Sequence, residues 1–103
     1  MAAGYSFGAA TALRATRTAK ALRRLVLVAP PPRIVDASLL GEFEGPVLMV
    51  AGDRDDFVEI DVLEGWAAEH DDVTLEVLDG ADHFFMTHLR ELRRAVDAWL
   101  GGG

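Results

Sequence analysis

Three side chains of this sequence could together carry out nucleophilic catalysis: Ser6, Asp55 and His83. A serine hydroxyl is a poor nucleophile unless a base removes its proton, and an imidazole can act as that base near neutral pH. A carboxylate can fix the tautomer of the imidazole and stabilise the imidazolium that forms. The residue types therefore predict a Ser-His-Asp triad.

Ser6 stands in the pentapeptide GYSFG, which has the pattern GxSxG of a tight turn between a strand and a helix. Small residues at Gly4 and Gly8 would let this turn present the serine. Only residues 1–3 precede the motif, so the strand leading into it is expected to be reduced to them. The pattern is weak evidence alone, and an acid and a histidine after later strands strengthen it.

The segments between these residues alternate between strand and helix patterns. Continuous apolar runs predict two buried strands, at 25–29 and 47–51. A more polar run predicts an edge strand at 73–78. Apolar residues at helical spacing predict three helices, at 7 to about 24, 61–70 and 87–100. One further helical turn is expected at 36–40.

This alternation predicts an α/β fold with three α/β/α layers and a mostly parallel sheet of three to four strands. Ligands bind beyond the carboxyl ends of such strands. Ser6 lies in the turn before the first helix, and Asp55 and His83 follow the second and third runs. We expect one domain over residues 1–100 and a flexible tail over 101–103.

Composition narrows the classes of partner. The chain has 103 residues, with ten Lys and Arg against seventeen Asp and Glu. The resulting net charge of −7 argues against nucleic acid and anionic membranes as binding partners. It has no cysteine, no signal-peptide pattern and no apolar run long enough to cross a membrane. We therefore expect a cytoplasmic protein.

Three stretches of the sequence resemble the C-terminal half of an α/β-hydrolase, of the small, lidless, dienelactone hydrolase-like kind: GYSFG, VLMVAGDRDDFV and GADHFF. The order Ser, Asp, His along the chain is the order that this family uses. The resemblance implies that Ser6 is the nucleophile, Asp55 the acid and His83 the base. It also implies that the backbone N–H of Phe7 donates to the oxyanion.

The first strands of that family's sheet have no counterpart here, nor has the loop that supplies the second oxyanion donor. Losing one donor costs about 10²- to 10³-fold in rate in other serine hydrolases. The expected activity is a weak carboxylesterase that acts on small activated esters through an acyl-serine intermediate, without metal or cofactor. The alternative is an inactive hydrolase fragment that serves as an assembly or complementation module.

The acid has two competitors, because Asp53 and Asp56 lie in the same acidic stretch as Asp55. A helix cap or a solvated acidic loop would also explain Asp55, although the spacing favours it as the acid. A calcium loop beginning at Asp53 fits poorly, because Phe57 and Val58 would occupy positions that need a ligand and a glycine.

His70 and His88 are expected to be structural, because neither follows a strand end as His83 does. Residues 84–86 could line an acyl pocket, although three apolar residues before an amphipathic helix more often belong to a core.

The N-terminal side of the predicted sheet has no element to cover it. Strand 25–29 is apolar on both faces and would lie beside a shortened strand. An exposed strand edge invites pairing, so we expect a symmetric homodimer through this edge.

Overall fold

Four parallel strands form one sheet, and their order in the sheet follows the chain, β1-β2-β3-β4. A computed structural model describes residues 1–19 and 21–102 of the chain. The strands are β1 (Ala2–Tyr5), β2 (Leu25–Val28), β3 (Val47–Gly52) and β4 (Val73–Leu78). The α/β fold and its parallel sheet are as predicted, and β1 extends through Tyr5, beyond the residues 1–3 that were expected.

Four helices connect or follow the strands: α1 (Phe7–Ala15), α2 (Ser38–Glu42), α3 (Ile60–Glu69) and α4 (Leu89–Gly102). Helix α4 begins two residues later than predicted and ends two residues later, so Gly101 and Gly102 of the expected tail belong to it. Gly103, the last residue of that tail, lies outside the described residues.

Helix α1 is shorter than predicted, because it ends at Ala15 and not near residue 24. The hydroxyl of Thr16 donates to the carbonyl oxygen of Leu13 over 2.6 Å, so a side chain satisfies a carbonyl of the last turn. Irregular turns follow through Ala19. Lys20 of the predicted helix lies outside the described residues.

The sheet is covered on both faces, as the three-layer prediction requires. Strand β3 is buried along its whole length, and β2 is buried at three of its four positions. One face packs against α1, α2 and α3 through the larger apolar cluster. On the other face, α4 places Leu92, Val96 and Trp99 over the buried side chains of β2 and β3.

The two edges of the sheet are β1 and β4, and the edge position of β4 is as predicted. The N–H of Ala2 donates to the carbonyl oxygen of Arg24, directly before β2, and the N–H of Ser6 donates to that of Val28, the last residue of β2. Because successive residues of a strand alternate, the backbone groups of Ala3 and Tyr5 point to the open side of β1.

Within residues 1–19 and 21–102, no helix combines the length and apolar character that crossing a bilayer requires. The cytoplasmic location stays a prediction.

Candidate active site

Ser6 occupies a sharp turn between β1 and α1, with φ of 56° and ψ of −118°. This φ lies in the left-handed region, which is uncommon for a residue with a side chain. The backbone N–H of Ser6 donates to Val28 over 2.8 Å, and its carbonyl oxygen accepts from Ala9 over 2.9 Å. Bonds to β2 and to α1 therefore hold the serine in this conformation.

The close approach of β1 and α1 requires glycine at one of the two motif positions. A Cβ atom on Gly4 would lie 2.2 Å from the carbonyl oxygen of Gly8 and 2.7 Å from the Cα of Ala9. A Cβ atom on Gly8 would meet nothing within 4 Å. Gly4 is therefore the glycine that permits the tight turn.

The three residues that the sequence singled out form one chain of hydrogen bonds. Ser6 Oγ lies 2.7 Å from His83 Nε2, and His83 Nδ1 lies 2.7 Å from Asp55 Oδ2. An ionised carboxylate can only accept, so Nδ1 carries the proton and Nε2 is free to accept from the serine. This tautomer is the one that a general base needs, although the catalytic roles themselves stay predictions.

Asp55 is buried and well held. Its side chain is fully shielded from solvent, and Oδ1 accepts the backbone N–H of Phe57 over 2.8 Å. Asp56 is exposed, and the carboxylate of Asp53 instead accepts the N–H of Gly80 over 2.7 Å. The structure thus places Asp55, and neither of its acidic neighbours, against His83.

The loop that carries His83, residues 79–88, follows edge strand β4 and crosses toward β1. The N–H of Arg54 donates to the carbonyl oxygen of Ala81 over 3.0 Å. A Cβ atom on Gly52 would lie 2.1 Å from that same oxygen, so the loop passes directly over the end of β3. This contact and the Asp53–Gly80 bond join the loop to β3.

Aromatic side chains surround the imidazole of His83. Ring centroids lie 4.9 Å away for Phe57, 5.3 Å for Phe84 and 5.8 Å for Tyr5. Of residues 84–86, Phe85 is core, whereas Phe84 and Met86 are exposed at 62% and 75%. Phe85 therefore belongs to the core, and only Phe84 and Met86 could line an acyl pocket.

A cavity of about 410 Å³ lies between the loops that follow β2 and β3. It shares Phe57 with the surroundings of His83. Sequence reasoning missed it, because the loop after β2 carries no motif. The lining residues are Pro31, Arg33, Ile34, Asp56, Phe57 and Glu59.

Phe7 is the first residue of α1. The first N–H groups of a helix have no partner inside the helix and lie at its positively polarised end. The backbone N–H of Phe7 is thus suited to the role of oxyanion donor that the resemblance implies.

The contacts of the other two histidines are to residues outside the triad. The ring of His70 lies beside Gly41 of α2, and His88 Nδ1 lies 2.9 Å from the hydroxyl of Thr87.

Solved structures with the same fold are α/β hydrolases. A protein of unknown function from Agrobacterium tumefaciens, described as an α/β hydrolase candidate, is 27% identical with a TM-score of 0.86, and the match covers 96% of this chain and 48% of that one. An α/β serine hydrolase homologue from Coxiella burnetii is 33% identical with a TM-score of 0.76, over 90% and 45% of the two chains. A lidless α/β serine hydrolase from Xanthomonas campestris is 30% identical with a TM-score of 0.77, over 93% and 44%.

No family model matches the chain. The chain spans slightly less than half the length of these three solved structures. The sheet, the helices and these likenesses agree with the three motifs that suggested the family. The chain therefore has the fold of one half of an α/β-hydrolase, as its motifs predicted.

Proposed function

We propose that this protein is a serine hydrolase, and specifically a weak carboxylesterase that acts on small activated esters. The observation that carries the proposal is the hydrogen-bonded chain from Ser6 Oγ through His83 to the buried carboxylate of Asp55. Side chains of these types in this geometry serve nucleophilic acyl transfer.

In the proposed reaction, His83 Nε2 takes the proton of Ser6 as Oγ attacks the ester carbonyl carbon. The N–H of Phe7 stabilises the oxyanion, and the intermediate collapses to an acyl-serine while His83 protonates the departing alcohol. Water then attacks the acyl group, with His83 again as base, and the acid and free serine are released. Asp55 stays ionised and keeps the imidazole in the required tautomer.

The N–H of Phe7 is the one oxyanion donor that we assign among residues 1–19 and 21–102, and this is the reason to expect weak activity from the chain alone. Removing one of two donors raises the barrier by about 3 to 4 kcal/mol in related chemistry. An ester with a good leaving group has a lower intrinsic barrier, so activated esters are the substrates for which turnover should be measurable. The cavity beside Phe57 has room for a small acyl or alcohol group.

The test is hydrolysis of a p-nitrophenyl ester and labelling by a fluorophosphonate probe. Wild type should be labelled and Ser6→Ala should lose both labelling and hydrolysis. The chain has one other serine, Ser38, which is exposed and bonded to Asp36, so Ser38→Ala is a matched control that should keep both. Equal hydrolysis by wild type and Ser6→Ala would remove Ser6 as the nucleophile.

The second candidate function is an inactive hydrolase fragment that assembles with a partner. The open edge of β1 favours it, because the outward backbone groups of Ala3 and Tyr5 could pair with another strand. A folded wild-type protein whose Ser6 does not react with the fluorophosphonate would support this candidate over the esterase.

We further propose that the strand seated on this edge comes from a second copy of the chain. A strand edge can pair with itself about a two-fold axis, and the small uncharged residues Ala2, Ala3 and Gly4 bring no charge repulsion to that pairing.

Light scattering after size exclusion at micromolar concentration should therefore give a dimer. Ala3→Pro should give a monomer, because proline removes an N–H that points to the open side. Ala3→Ser keeps that N–H and should stay dimeric. A well-folded monomeric wild type would contradict the dimer.

A further inference from the structure

Tyr5 makes a contact to the His83 loop that the proposed mechanism does not use. Its hydroxyl donates a hydrogen bond to the backbone carbonyl oxygen of His83. Its ring also packs against the imidazole, and lies 6.2 Å from the ring of buried Phe85. Tyr5 is the last residue of β1 and is followed directly by Ser6.

Three other hydrogen bonds of this loop reach the residues that directly follow β3. They join Gly80 to Asp53, Ala81 to Arg54 and the imidazole to Asp55. Among the described residues, only the hydroxyls of Tyr5 and Ser6 bond the loop to the β1 side. The bond from Tyr5 therefore ties the backbone of the base to the strand that carries the nucleophile.

We propose that Tyr5 is a positioning residue, whose hydroxyl holds the backbone of His83 so that Nε2 stays within hydrogen-bond reach of Ser6 Oγ. This inference rests on the proposed function for its kinetic consequence, but the contact can be tested without it. Rates of acyl transfer are sensitive to small displacements of the reacting groups. Loosening the carbonyl of His83 would lengthen the 2.7 Å contact between Ser6 and the imidazole.

The phenol of Tyr5 stays a donor over the neutral range. Burial, followed by the carboxylates of Asp55 and Asp82, raises the pKa of Tyr5 above its usual value of 10.0. The stability that this raised pKa contributes is complete below pH 10 and is lost as the pH rises through the folded-state pKa. Tyr5 is the only tyrosine of the chain, so the absorbance of phenolate reports on it alone.

The test is Tyr5→Phe, which keeps the ring and removes the hydroxyl. We expect kcat for the p-nitrophenyl ester to fall about tenfold with KM unchanged, because substrate contacts are retained. Thr16→Val is the matched control, since it also removes a hydroxyl that donates to a backbone carbonyl but lies outside the site. It should keep the wild-type kcat and KM.

A second measurement follows His83 directly. The proton on Nδ1, bonded to Asp55, should give a protected downfield NMR signal in wild type and in Thr16→Val, and should exchange faster with solvent in Tyr5→Phe. Unchanged exchange and unchanged kcat in Tyr5→Phe would overturn the inference.

If wild type hydrolyses no ester, the proposed function fails. The exchange of the Nδ1 proton and the phenolate titration then still decide the role of Tyr5. Equally slow Nδ1 exchange in Tyr5→Phe and wild type would count against that role, and so would a Tyr5 pKa at the ordinary value.

Discussion

Replacing His83 by glutamine is expected to lower kcat/KM for an activated ester by about a thousandfold or more, to the level of Ser6→Ala. Glutamine approximates the length of histidine, but its amide cannot take the proton of the serine hydroxyl. Without that transfer Ser6 remains a neutral alcohol and does not attack. Initial rates with a p-nitrophenyl ester, corrected for uncatalysed hydrolysis, measure the effect.

The same experiment tests whether the three residues act as one unit. A double variant of Ser6→Ala and His83→Gln should be no slower than either single variant, because each already removes the acyl-serine route. Asp55→Asn should cost less than either of these changes, because it keeps the serine and the imidazole and only favours the tautomer in which Nε2 carries the proton.

His70→Gln is the matched control, since the ring of His70 lies beside α2 and away from the triad. It should keep the wild-type rate. A His83→Gln variant as fast as His70→Gln would show that another group acts as the base.

Gly4→Ala is expected to destabilise the protein by about 3 kcal/mol or more. The added Cβ would overlap the carbonyl oxygen of Gly8 and the Cα of Ala9, which are backbone atoms that cannot move without shifting α1 away from β1. Domains of this kind have about 5 to 15 kcal/mol of stability in all. Urea denaturation followed by circular dichroism should show a large fall in the midpoint.

Gly8→Ala provides the contrasting change within the same motif. The space around Gly8 is open and the residue lies in the first turn of α1, so alanine should raise stability by about 0.5 to 1 kcal/mol through helix propensity. Equal midpoints for Gly4→Ala and wild type would mean that β1 and α1 do not approach as closely as the structure shows.

The buried strands were predictable because of what surrounds them. Strands β2 and β3 lie between two layers of helices, so nearly all of their residues are apolar and the runs are easy to recognise. The end of α1 was not predictable from propensity, since helix-forming residues continue past Ala15. Beyond Ala15 the backbone bonds become tighter turns, in which the N–H groups of Thr16 and Arg17 donate to the third residue before them.

The candidate site, like the fold, could be predicted only in part. Asp55 and His83 could be found because each follows a recognisable strand, and parallel strands bring those positions to one edge. The hydroxyl contact of Tyr5 and the cavity beside Phe57 could not be found. Both depend on the path of loops over the sheet, which local residue patterns do not specify.

Ser6 and His83, the proposed nucleophile and base, are separated by 77 positions along the chain and belong to segments that adjoin opposite edge strands. Their hydrogen bond can close only when all four strands are in register, so it should be among the last native contacts to form during folding. Fraying at either edge separates the two side chains, even while the central strands remain paired. A covalent probe would then label Ser6 only in molecules whose two edge strands are both paired with the central strands. The labelled fraction would therefore report whether the whole sheet is intact.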